Sequence, residues 1–181
     1  MKDYLKYLLQ LILSPANGWE DIEKGDVPPS RLTVDGYLPL IALTAVSVFA
    51  KALFLHHVEF ITLFLDMVIT FVVYFISYFF GTFILSIFLE PMVDGDYDDQ
   101  RSQTFTLYTL GLTAIIGIIF NCFPLPGIML FFFALYIVLI QFRGTRYMRI
   151  RQESTGLFMI LAVLGVLCPP YIFHFIFSIL F

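Results

Sequence analysis

An all-α integral membrane protein is the fold class this sequence predicts, and two observations carry that reading. The first is composition. Of 181 residues, 60% are hydrophobic and 13% charged, against about 25% charged in an average soluble domain. Too few polar side chains remain to cover a globule, and the mean hydropathy is +0.90. The second is pattern. The apolar residues gather in runs of roughly 20, the length a helix needs to cross a bilayer core of about 30 Å. The runs are apolar on every side, whereas membrane strands alternate apolar and polar residues. Other classes fall away. Disorder needs low hydrophobicity and high net charge. A nucleic-acid binder is usually basic, and here the formal net charge is -4. Two cysteines, Cys122 and Cys168, do not make a disulfide scaffold.

Taken in order, the chain begins with an amphipathic segment. Lys2, Lys6 and Gln10 share one helix face, and Tyr4, Leu5, Leu8, Leu9, Ile12 and Leu13 fill the rest. The run is too short to span and is expected to lie in the interface. No small-residue cleavage site follows, so it does not read as a signal peptide. Ser14-Pro15 restarts a helix, with Ser14 as N-cap and Pro15 in the first turn. Glu20 and Asp21 suit its early dipole. Trp19, the sole tryptophan, is expected at interfacial depth, facing lipid or a partner. Pro28-Pro29 marks a loop. Residues 1–36 therefore form a cytoplasmic, interfacial segment, and 37–181 a five-helix transmembrane domain. Its spans are expected at 37–55, 60–89, 104–122, 125–142 and 157–181.

Orientation follows from Lys and Arg. With the N-terminus inside, every one of them except Lys51 is cytoplasmic. Five spans then put the C-terminus outside. The acidic loop from Glu90 to Gln103 is cytoplasmic as well.

The order of these features resembles one family. An amphipathic start, Ser14-Pro15 and Trp19-Glu20-Asp21-Ile22 lead through a polar linker to Pro39-Leu40-Ile41-Ala42. Gln103-Thr104-Phe105 then enters the third span, and Pro124-Leu125-Pro126-Gly127 the fourth. This is similar to the YIP family of Ypt-interacting, Rab-associated membrane proteins, in its short prokaryotic branch. The resemblance implies five helices, a cytoplasmic N-terminus and a short exterior C-terminus. It supplies no catalytic residues. The Asp-Leu-Tyr-Gly-Pro motif of eukaryotic members is absent.

Several constellations could carry chemistry. His56, His57 and Glu59 occupy the outer loop between the first two spans, and His174 falls at similar depth in the fifth. Imidazoles and a carboxylate are ligands for a divalent metal; the same side chains also read as interfacial groups. Lys51 and Asp66 face each other across the first helical hairpin. An ionisable group inside a span needs a partner, so they are expected to pair, either as a structural bridge or as part of a proton or cation path. Asp94, Asp96 and Asp98 have the spacing of the first calcium-loop ligands, but Asp99 stands where that loop needs glycine. A weak cation site and a solvated acidic loop are both open. Arg143, Arg146, Arg149 and Arg151 sit beside a span, where they orient the protein or meet lipid headgroups and partners. Pro169-Pro170 should kink or unwind the fifth span and free the carbonyls of Gly165 and Val166.

No nucleophile–base pair, glycine-rich phosphate loop or metal-hydrolase motif is present, so no enzyme activity is expected. No cofactor is expected, apart from the open question of a divalent metal. The expected role is a non-enzymatic scaffold or adaptor that organises a membrane. It would reside, multi-pass, in a bacterial cytoplasmic membrane. Its partners would be the bilayer, proteins at the cytoplasmic face and further copies of itself, not nucleic acid. The alternative is a small cation or solute transporter using Asp66 and the outer histidines.

Overall fold

The computed structural model describes residues 2–54 and 59–180. Among them every regular element is helical. Two short helices, α1 (Lys2–Leu13) and α2 (Pro15–Gly25), lead the chain. They are followed by α3 (Pro29–Leu53), α4 (Phe60–Phe88), α5 (Asp99–Cys122), α6 (Ile128–Gly144) and α7 (Gln152–Leu180). By length and composition α3, α4, α5 and α7 can cross a membrane. Helix α6 is apolar but has 17 residues, about 25 Å of rise. The expected set of five spans therefore resolves into four candidate spans and one shorter apolar helix.

Helix α5 is the axis of the bundle. It is buried without a break from Thr104 to Ala114. Its hydroxyl and small residues make this workable, because Thr106, Thr109, Gly111, Thr113 and Ala114 let neighbouring backbones approach closely. Helix α4 behaves differently. Leu63, Thr70, Val73, Tyr74, Ser77, Gly81 and Leu85 form one buried stripe at helical spacing. Phe64, Phe75, Phe79 and Phe83 stay exposed on the other side, which suits contact with acyl chains. At Gly81 an added Cβ would lie 3.2 Å from the Gly165 carbonyl oxygen, and one added at Gly165 would lie 2.8 Å from an Ile84 methyl. These two glycines set the closeness of α4 and α7.

Two π-turns interrupt the long helices. In α7 the turn covers Val163–Leu167, immediately before Pro169-Pro170. The prolines cannot donate back to the preceding turn. The ladder adapts by widening, and the Cys168 N–H donates to Val163 O at 2.8 Å, five residues back. A bend at Cys168 follows, and the helix resumes at Pro169. In α3 the turn covers Thr33–Tyr37. It brings Gly36 against the Tyr4 ring, where an added Cβ would clash.

Helices α1 and α2 form a hairpin docked on one end of the bundle. Tyr4, Leu8 and Leu11 are buried. The Tyr4 hydroxyl donates to Leu107 O at 2.7 Å, and its ring stacks on Tyr108 with centroids 5.1 Å apart. Burial holds that hydroxyl well above the ordinary tyrosine pKa, the Tyr108 hydroxyl adding to the effect. Gly18 lies against the Leu11 backbone. Ser14 occupies the N-cap of α2 but its side chain makes no cap bond.

Both interhelical loops at this end meet each other. Val93 and Ile150 form an antiparallel bridge, with Asp94 N–H donating to Arg149 O at 2.8 Å and Arg151 N–H to Met92 O at 2.9 Å. The acidic and basic loops are thus joined through backbone rather than through opposite charges.

Gly36 and Gly111 together cradle Tyr4. Gly111→Ala is expected to lose about 1–3 kcal/mol by overpacking, read as a lower melting midpoint in detergent, with faster amide exchange across Lys2–Leu13. Tyr4→Phe, which keeps the ring, should lose only about 1 kcal/mol.

Candidate functional site

At the end of the bundle opposite α1, three ionisable side chains converge from three helices. Lys51 lies in the tightened 3₁₀ turns that end α3. Asp66 lies near the start of α4, and His174 on α7 beyond the proline pair. Lys51 Nζ is 2.7 Å from Asp66 Oδ2. His174 Nε2 is 3.1 Å from the other oxygen, Asp66 Oδ1. One carboxylate therefore bridges two cationic or polar partners. Asp66 is the best shielded of the three, with its side chain 24% exposed.

Lys51 and His174 also line a cavity of about 220 Å³, enough for several waters or a small solute. Its walls carry Thr70, Tyr74, Thr113 and Asn121. Tyr74, Thr113 and Asn121 are already engaged, with backbone carbonyls or with Ser47. Tyr74 donates to Thr113 O at 3.0 Å. Asn121 Nδ2 donates to Ser47 Oγ at 2.9 Å, and Thr44 Oγ1 stands 3.3 Å from Ala114 O across the helix pair. Val73, Ile116 and Phe120 add apolar lining.

The Pro169-Pro170 break positions this site. Pro170 lines the cavity, and the bend carries the last turns of α7 so that His174 reaches α4. The structure thus joins four of the sequence candidates, Lys51, Asp66, His174 and the proline pair. It does not bring Glu59 into a ligand set with them. His56 and His57 lie outside the described residues. Among the described residues no group of three or more His, Cys, Asp and Glu is placed to hold a metal.

The acidic loop is likewise not assembled as a cation site. Asp98 is the N-cap of α5, accepting from Gln100 N–H at 2.9 Å, and stands 3.6 Å from Arg101. Asp94 joins the loop pair through its backbone N–H, and among the described residues the three carboxylates form no ligand group. Burial raises the neighbouring Tyr97 hydroxyl to about 12.

Trp19 corrects the sequence expectation most clearly. It is not an exposed interfacial ring: the residue is 3% exposed. The indole stacks between Phe105 and Tyr147, with centroids 5.3 and 5.2 Å away. Its N–H donates to Ile140 O at 2.9 Å. Beside it Arg101 donates to Tyr147 O, reaches Glu23 at 2.8 Å and lies 5.2 Å from the Tyr147 ring centroid. Burial pushes the Tyr147 hydroxyl up to about 12, so it stays neutral and uncharged in ordinary buffers. Arg143, Arg146, Arg149 and Arg151 are exposed, and Arg151 stands 3.9 Å from Glu153.

The polar cavity wall was only partly visible in the sequence. Thr113, Gly117 and Asn121 recur every four residues along one face of an otherwise apolar run, and that recurrence is the signal that marks it. The Arg101–Glu23 contact has no such signal, because it joins segments far apart in the chain.

Set beside known protein families, curated proteins and solved structures, the chain matches none of them.

Asp66→Asn leaves Lys51 without its counter-ion and is expected to lower the melting midpoint in detergent. Removing both charges with Lys51→Met and Asp66→Leu should cost less than Asp66→Asn alone, since an unpaired shielded charge is worse than none. A double-mutant cycle should return a coupling of about 1 kcal/mol.

Proposed function

We propose that this protein is a non-enzymatic, five-span scaffold of the bacterial cytoplasmic membrane, of the short prokaryotic YIP type. Its working surface would be the end carrying α1 and α2. The observation that supports this best is the docked hairpin. One side of α1 is buried in the bundle, while Leu9 and Leu13, 57% and 84% exposed, point away from it. Lys2 and Lys6 are exposed on the same helix. An apolar edge flanked by lysines fits a helix lying in one leaflet at the level of the headgroups. Because the bundle clamps this helix, its insertion would press on one leaflet from a fixed position. That is a geometry for organising a bilayer, or for presenting a surface to protein partners or further copies.

Five crossings fit the order of the helices. The ends of α4 and α6 return to the side of α2, while α3, α5 and α7 end on the other. In this reading α6 crosses as a short span, at the lower limit of length for a thin bilayer. All Lys and Arg except Lys51 then fall on the side of α1, which would be cytoplasmic.

A second reading rests on a different observation, the cavity bounded by Lys51 and His174. Ionisable groups at membrane depth mark ion and proton paths, so passage of a small cation or proton is the alternative. Flux across proteoliposomes that falls with Asp66→Asn would favour it over the scaffold.

For the scaffold, Leu9→Asp with Leu13→Asp should leave the bundle folded but withdraw α1 from the leaflet. Amide exchange across α1 should quicken in nanodiscs and not in detergent. Any change of vesicle shape produced by the wild-type protein, imaged by electron cryomicroscopy, should be lost. Vesicles that look the same with wild type, with the double variant and without protein would sink the proposal.

A further inference from the structure

Between α2 and the end of α6 lies a groove of about 600 Å³. Its charged walls are Lys24 and Glu20 on one side and Arg143 and Arg146 on the other, with Glu23 at one edge and the Trp19–Tyr147 stack as its floor. The charges in it are not equally free. Glu23 is held by Arg101 at 2.8 Å. Lys24 stands 4.0 Å from Asp21, a contact at the limit of an ion pair. Arg31, Arg101 and Arg151 each have a carboxylate partner. Arg143 and Arg146 have none among the described residues. The groove thus holds two unpaired guanidinium groups and a weakly paired ammonium, opposed by one uncommitted carboxylate.

Its position is as telling as its charge. Phe142 forms one wall. It ends a stripe of exposed apolar residues along α6, namely Phe131, Leu135, Leu139 and Phe142, spaced to share one helix face. An apolar track therefore runs along the helix directly into a basic pocket. A molecule with an acyl tail and a phosphate head matches both parts at once. Guanidinium groups take phosphate oxygens in pairs, and the tail lies on the phenylalanine and leucine stripe.

We propose that this groove is a binding site for one anionic phospholipid, its phosphodiester held by Arg143 and Arg146 with Lys24 adding charge. The proposal rests on the membrane-spanning reading but not on the scaffold role. A bound lipid would also tie α2 to α6, adding to the Trp19 contact a few ångströms away.

Trp19 is the only tryptophan, and it lines the groove, so its emission reports on occupancy. The full chain in a mild non-ionic detergent is titrated with dihexanoyl phosphatidylglycerol, and adducts are counted by native mass spectrometry. A saturable emission change with a single retained lipid is expected. Arg143→Gln with Arg146→Gln should weaken it about tenfold or more, while Arg149→Gln, outside the groove, should leave it unchanged. Arg143→Lys and Arg146→Lys keep the charge but lose the planar fork, so each should fall between. These milder variants keep the test decisive if the double variant melts early. Equal binding by wild type and by the arginine variants overturns the site. So does a wild type showing neither an emission change nor an adduct. An identical response to inorganic phosphate at matched ionic strength overturns the lipid as ligand. The assay runs in detergent, so its failure is separate from failure of the vesicle experiment.

Discussion

The burial of one indole governs the end of the molecule on which most of its charge sits. Trp19 is inserted between Phe105 of α5 and Tyr147 of the loop after α6, and it donates to a carbonyl of α6. A short polar helix such as α2 has little intrinsic stability of its own. What orders it is this insertion, along with Ile22 and the Gly18 crossing against α1. With α2 fixed, α1 is held against it across Gly18 and Leu11 and to α5 through Tyr4. Gly144 completes the arrangement. A Cβ there would lie 2.8 Å from the Phe105 ring and 3.0 Å from the indole, so the end of α6 can approach only because it carries none.

The opposite end obeys a different constraint. Inside an apolar bundle, polar groups must satisfy one another. Most do so locally, as where Ser77 donates to Val73 O at 2.7 Å. The exceptions reach between helices. Tyr37 donates to Tyr74 O at 2.8 Å, Tyr74 to Thr113 O, and Asn121 to Ser47. This chain of contacts links α3, α4 and α5 and leads to the cavity beside Lys51 and His174. Such contacts are worth little individually, but they fix rotation and register where greasy surfaces alone would let helices slide. The Asp66 carboxylate does the same for α3, α4 and α7.

The sequence made the helices legible because the runs of apolar residues are long and uninterrupted, and helix is the one structure that satisfies such a backbone internally. Helix ends were less legible. The helix that carries the first candidate span begins at Pro29, ahead of the expected start at Tyr37, since the backbone stays helical through Arg31 and Asp35, which stand 3.5 Å apart as an i, i+4 pair. The closeness of Lys51 and Asp66 could be read from a simple hairpin. The contact of His174 with Asp66 could not, because it depends on how far the proline break turns the last helix. Trp19 misled for a physical reason. An amphipathic ring is equally at home at an interface and in a partly polar core, and only the aromatic residues waiting at 105 and 147 decide between them. Both lie far along the chain from Trp19, and no local pattern names it as their partner.

These constraints sort the charges of the α1 end into two kinds. Arg101 has a carboxylate on α2, a carboxylate in its own turn and a tyrosine face, so its charge is spent on the fold. Arg143 and Arg146 sit at the same helix end that receives Trp19 and line the groove, without a carboxylate partner among the described residues. A rule that counts only Lys and Arg treats all three alike, as markers of the side of the membrane. The geometry separates them. Orientation needs charge to be near the surface, and Arg101 satisfies that as well as the others. Arg149 likewise has no carboxylate partner among the described residues, so what sets Arg143 and Arg146 apart is their place in the groove against α2. Glu20 lines the same groove, and it makes no ion pair with them. What the docking of α2 on Trp19 does set is the groove itself, which places Arg143 and Arg146 opposite Glu20 and Lys24 at the end of the apolar track.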